Sequence, residues 1–178
     1  MERLLMTNLF FVFLTGITCF SNVLVAANNT DEINSLLEGR YELVYWTENK
    51  IRFDYPEVAG VLILNDNNAL ITLNKNIIKN ESVEVIGWGK YEINNNSFQI
   101  GWHDWKLLLI KNNNKAVKKD SPWQGMRKYK VLLKDQKLIL TSVSGLQSWE
   151  LDRKSLVYTD KEWGEDKDEV IRYWKRIN

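Results

Sequence analysis

The stretch Lys128-Tyr129-Lys130-Val131-Leu132-Leu133-Lys134-Asp135-Gln136-Lys137-Leu138-Ile139-Leu140-Thr141 decides the fold. Tyr129, Val131 and Leu133 share one face of an extended chain while Lys128 and Lys130 take the other, the period-two pattern of a strand with one buried side. Lys134 to Lys137 then reads as a polar turn between two such runs. Working outward, the same rhythm predicts strands at Tyr41 to Thr47, Val58 to Leu64, Leu70 to Asn74, Glu84 to Ile93, Phe98 to Trp102, Trp105 to Ile110, Ser148 to Leu151 and Val170 to Ile177. In the first of these, Tyr41, Leu43 and Tyr45 oppose Arg40 and Glu42. The connectors at Asn65 to Asn68 and Asn94 to Asn96 suit turns, because asparagine tolerates left-handed backbone and bonds its own chain. So many short strands around one interior predict an all-β, antiparallel up-and-down barrel of roughly eight to ten strands, since closure removes the exposed edges that template aggregation. Ahead of it, Asp31 to Glu38 predicts one or two helical turns capped by Thr30 or Asn29.

The first 27 residues differ in kind from this pattern. Arg3 is followed by an apolar run beginning Leu9-Phe10-Phe11-Val12-Phe13-Leu14 that Gly16, Thr18, Ser21 and Asn22 interrupt, too short to span a bilayer. Val25-Ala26-Ala27 then presents small side chains before the polar Asn28-Asn29-Thr30-Asp31, the pattern of a cleavable signal peptide over residues 1–27 with the mature domain at 28–178. The reading places the mature chain in a secreted or periplasmic compartment with no transmembrane span. The single cysteine, Cys19, lies inside this leader, and Thr18 and Phe20 around it do not fit a lipidation site. Cleavage after Ala27 therefore leaves no thiol for a disulfide, a nucleophile or a metal ligand. The formal charge of +1 provides no global pull toward nucleic acid or anionic lipid.

Several segments carry a resemblance to the lipocalin-like domain family. Leu37-Glu38-Gly39-Arg40-Tyr41-Glu42-Leu43-Val44-Tyr45-Trp46 resembles its leucine-x-glycine-x-aromatic opening into the first barrel strand. Tyr55-Pro56-Glu57-Val58-Ala59-Gly60-Val61-Leu62 is similar to its second strand, Gly87-Trp88-Gly89-Lys90-Tyr91-Glu92-Ile93 to its glycine-x-tyrosine-glutamate strand, and Val170 to Ile177 to the final strand of a calycin-type barrel. The resemblance implies a barrel that binds a small hydrophobic or amphipathic molecule or lipid. It also implies a structural closure in which an arginine of the last strand, Arg172 or Arg176, packs on Tyr41, which stands where lipocalins proper carry a tryptophan.

Inward-facing aromatics make Tyr45, Tyr91, Trp102, Tyr129 and Trp149 the expected cavity lining. Gly87 and Gly89 fall on the inner face of their strand and imply either a sharp bend or space left open. The only histidine, His103, adjoins Asp104, and the two face opposite sides of a strand unless it bulges there. No cofactor or metal set is legible, and the acidic stretch from Asp160 to Glu169 reads as a solvated connection. Three functions follow. The leading one is an exported ligand-binding barrel. The others are a barrel enzyme of isomerase or hydratase type using His103 or a buried tyrosine, and an envelope-associated interaction module presenting a loop over Lys111 to Gly125. The leader reading has a direct check: protein recovered from an export compartment is expected to have an intact mass starting at Asn28, and a mass retaining residues 1–27 contradicts it.

Overall fold

The computed structural model describes residues 29–78, 81–111, 115–121, 123, 125–163 and 167–177, so the leader read over 1–27 lies outside the described residues. A short helix, α1, covers residues 29–37, so Asn29 and Thr30, expected as caps, form its first turn. Twelve strand segments follow: β1 (Gly39–Glu48), β2 (Ile51–Asp54), β3 (Val58–Asn65), β4 (Asn68–Ile78), β5 (Glu81–Ile93), β6 (Ser97–Lys111), β7 (Lys115–Ser121), β8 (Arg127–Lys134), β9 (Lys137–Ser142), β10 (Gln147–Leu151), β11 (Ser155–Trp163) and β12 (Asp168–Ile177).

These segments form a closed antiparallel barrel of ten strands, because two of its staves are each made of two collinear pieces. β3 pairs the first part of β1 (Gly39↔Leu64 to Glu42↔Val61) and β2 pairs the last part (Tyr45↔Asp54 to Glu48↔Ile51), with a cis Tyr55–Pro56 peptide between them. In the same way β8 pairs β6 from Ser97↔Lys130 to Ile100↔Arg127, and β7 pairs it from Trp105↔Ser121 to Lys111↔Lys115. The ring closes where β12 lies along β1 from Arg40↔Ile177 to Glu48↔Val170. Among the described residues no helix is long and apolar enough to cross a membrane.

Three expectations are corrected. Phe98 to Trp102 and Trp105 to Ile110 are one strand, β6, bent by a bulge rather than broken. The loop expected over Lys111 to Gly125 contains β7, a strand whose run of lysines hid its pairing. The acidic stretch is not all connection, for Asp160 ends the inward series Leu156, Tyr158, Asp160 of β11 and is buried.

Turn chemistry sets the register. Three hairpins close with two residues in the left-handed region, Asn49-Lys50, Asp66-Asn67 and Asp135-Gln136. Paired positive φ values of this kind match the twist of the flanking strands.

One end of the barrel is plugged. Ile33, Leu36 and Leu37 of α1 are buried in the core together with Leu64, Phe98, Leu138 and Leu151. Tyr41 fastens the plug: its hydroxyl donates to Leu37 O at 2.8 Å and Leu36 O at 3.1 Å, using carbonyls that the helix end leaves unpaired. Burial pushes its phenol up to about 12 against the opposing charge of Arg176, so it stays a donor at neutral pH. Arg176 donates to Ser35 O at 3.0 Å, Leu36 O at 3.1 Å and Glu38 O, and its guanidinium carbon stands 5.3 Å from the Tyr41 ring centre.

Gln136 holds φ 61°, a conformation that costs a side-chain-bearing residue strain and glycine none. Gln136→Gly is expected to stabilise the protein by up to about 1 kcal/mol in urea denaturation. A loss of stability would contradict the left-handed assignment of this turn.

Candidate functional site

Three bulges aim tryptophans into the barrel. In β1 the register against β12 shifts between Leu43 and Tyr45, so the inward series Tyr41, Leu43 continues at Trp46 rather than at Tyr45. In β6 the shift opposite Trp88 and Gly89 leaves His103 extra, and the inward series Phe98, Ile100, Trp102 resumes at Trp105. In β11 a shift between Asp160 and Trp163 brings Trp163 inward in place of Glu162. An extra residue on one strand inverts the faces of everything beyond it, which is how bulges redirect side chains.

The result is an internal cavity of about 270 Å³. Five tryptophans line it, Trp102, Trp105, Trp149, Trp163 and Trp174, with Leu62, Ile71, Ile100 and Leu156 completing the apolar wall. Gly87 makes this lining possible: a Cβ there would meet the Trp105 ring at 2.6 Å and Ile71 Cγ2 at 2.9 Å. At Gly89 a Cβ would stand 2.0 Å from the Gly101 carbonyl oxygen. The two inner-face glycines thus admit an indole and a close approach of β6.

The polar part of the lining is Tyr129, Tyr158, Arg127 and Arg172. Arg172, on β12, is only 5% exposed. Its guanidinium carbon lies 4.0 Å from the Trp46 ring centre and 4.2 Å from that of Trp163, with Tyr158 at 5.4 Å. Cation–π contacts of this kind offset part of the cost of removing the charge from water. Burial lowers the Arg172 pKa to about 10, opposed by electrostatic interaction with the neighbouring Tyr158 and Asp160, and the group stays cationic at neutral pH.

Its hydrogen bonds are not satisfied. Nε and Nη2 of Arg172 are buried and have no hydrogen-bond partner among the described residues, and the same holds for the indole Nε1 atoms of Trp46 and Trp149. Asp160 is engaged elsewhere: it accepts from the Tyr158 hydroxyl at 2.9 Å, Gln147 Nε2 at 2.8 Å and the Glu162 backbone N–H at 3.1 Å. Burial raises the Tyr158 pKa, which keeps that hydroxyl protonated and donating.

Of the lining expected from sequence, the structure brings Trp102, Tyr129 and Trp149 together around the cavity. Tyr45 is not among them. The β1 bulge turns it away, and it stacks on Tyr173 (5.2 Å, 6° between planes) with the Arg52 guanidinium carbon 4.0 Å over its ring. Tyr91 is buried nearer the plugged end, where it donates to Glu38 Oε1 at 2.8 Å, and does not line the cavity. Arg172, expected with Arg176 at the closure, stands in the cavity wall instead, because inward positions of β12 four residues apart lie at different depths. Trp46, Trp105, Trp163, Trp174, Tyr158 and Arg127 escaped the sequence reading.

His103 is exposed and outside the cavity lining, stacked on Trp123 at 4.4 Å and 5.2 Å from Trp88, both of them exposed. Trp123 reaches this place because Gly101 has no side chain; a Cβ there would meet its ring at 2.3 Å. Asp104 turns to Lys106 at 2.6 Å on the exposed face. The two residues are therefore not assembled around the cavity. Among the described residues no group of three or more His, Cys, Asp or Glu side chains could hold a metal ion. Comparison of the chain with protein-family models, with curated proteins and with solved structures finds no match.

Proposed function

We propose that the chain is an exported binding protein whose barrel holds one small hydrophobic or amphipathic molecule. The cavity between the tryptophans carries this reading. It is concave and mostly apolar with a few polar groups converging on it, the composition of small-molecule sites. Its volume of about 270 Å³ suits a small molecule. Large rigid indoles offer contact area at little entropic cost. Among the described residues the ionisable side chains of the lining are two arginines and two tyrosines that burial keeps protonated, a set that suits recognition better than proton transfer. The leader composition and the lipocalin-like segments support export and the same class of ligand.

Calorimetric titration of the mature chain with octan-1-ol, a neutral probe, tests the reading. One-to-one binding with a negative heat-capacity change is expected, since apolar surface is buried. Ile100→Trp, which fills the cavity from the β6 wall, is expected to weaken that binding about tenfold or more while the barrel still melts cooperatively. Binding of neither octan-1-ol nor its carboxylate counterpart, octanoate, to the unmodified protein would overturn the proposal.

A further inference from the structure

We infer that Arg172 is a headgroup site, pairing through Nε and Nη2 with the carboxylate of a small amphipathic acid whose apolar tail lies among Trp102, Trp105, Trp149 and Trp174. The inference rests on reading the cavity as a binding site and specifies what enters it.

The first support is an unfilled valence. Arg172 is a buried cation whose Nε and Nη2 have no hydrogen-bond partner among the described residues. The indoles beside it, Trp46 at 4.0 Å and Trp163 at 4.2 Å from its guanidinium carbon, offer ring faces and no oxygen acceptor, so these N–H groups are what it still has to offer. Guanidinium edges match carboxylates bidentately, and this molecule contains the filled version of that edge. At Arg52 the same pair of nitrogens holds Asp54, with Nε at 3.0 Å from both carboxylate oxygens and Nη2 at 2.7 Å from Oδ1.

The second support is the charge of the wall. Among the described residues two guanidiniums, Arg127 and Arg172, line the cavity and no carboxyl side chain does. Among the described residues no Asp or Glu forms an ion pair with Arg172. The nearby Asp160 has its oxygens occupied by Tyr158, Gln147 and the Glu162 backbone. Arg127 is exposed at the start of β8, where a second positive charge favours entry of an anion. A hydrocarbon would leave the buried N–H groups as they are and an alcohol offers a single neutral acceptor oxygen, whereas a carboxylate satisfies both N–H groups at once with charge-assisted bonds.

The test is a side-by-side calorimetric titration of the mature chain with octanoate and octan-1-ol, repeated on Arg172→Met, which keeps an apolar stem of similar length. Octanoate is expected to bind the unmodified protein about tenfold tighter or more than the alcohol, the size of a charge-assisted hydrogen bond. Arg172→Met is expected to erase that preference by lowering octanoate to the alcohol's affinity. Octan-1-ol binding as tightly as octanoate to the unmodified protein overturns the headgroup assignment and leaves the cavity reading intact, while binding of neither overturns the cavity reading itself. A preference for octanoate that survives in Arg172→Met also overturns the assignment. Should that variant not fold, the comparison on the unmodified protein decides by itself.

Discussion

Pairing of β12 with β1 closes the sheet on itself, and the rest of the architecture follows from that closure. A closed sheet has an inside, so each side chain is committed to the core or to solvent by its position in the pleat. The interior must then be filled or left as a cavity. At one end α1, Tyr41 and Arg176 fill it, tying the helix carbonyls to the first and last strands. Further along, five indoles surround space instead of occupying it.

That space depends on the bulges. Strict alternation would carry Tyr45 inward in β1 and would leave Trp46, Trp105 and Trp163 facing out. Each bulge reverses the phase once, and each time a tryptophan enters the interior. Two of these, Trp46 and Trp163, are the rings packed against the Arg172 cation. The cation and the irregularities of the sheet therefore belong to one arrangement, in which the backbone departs from the ladder where it has to hold a buried charge.

The same fact explains how much the sequence discloses. Alternation at Tyr129, Val131 and Leu133 and the polar turns between strands are local signals, and they suffice for the antiparallel barrel. Trp102, Tyr129 and Trp149 were legible as lining because each lies in phase with its own strand, ahead of any bulge. Tyr45 was misassigned and Trp105 missed because a bulge is defined by the partner strand, which the sequence of one strand does not contain. Charged residues misled in a second way. Asp160 reads as part of a solvated connection and Arg172 as a closure residue until β11 and β12 are paired, when both prove to be inward and Arg172 stands in the cavity wall. The lysines of β7 concealed a strand for the same reason: charge marks a solvated face without telling whether the backbone beneath it is paired.

The distribution of tryptophans gives the central claim its most direct measurement. Five line the cavity, Trp46 packs against Arg172, and Trp88 and Trp123 lie outside beside His103. The indole N–H resonances of the mature chain can be assigned and followed during titration with octan-1-ol. The account predicts shifts at Trp102, Trp105, Trp149, Trp163 and Trp174 with Trp88 and Trp123 unmoved. Shifts confined to Trp88 and Trp123 would place binding on the outer surface and contradict it.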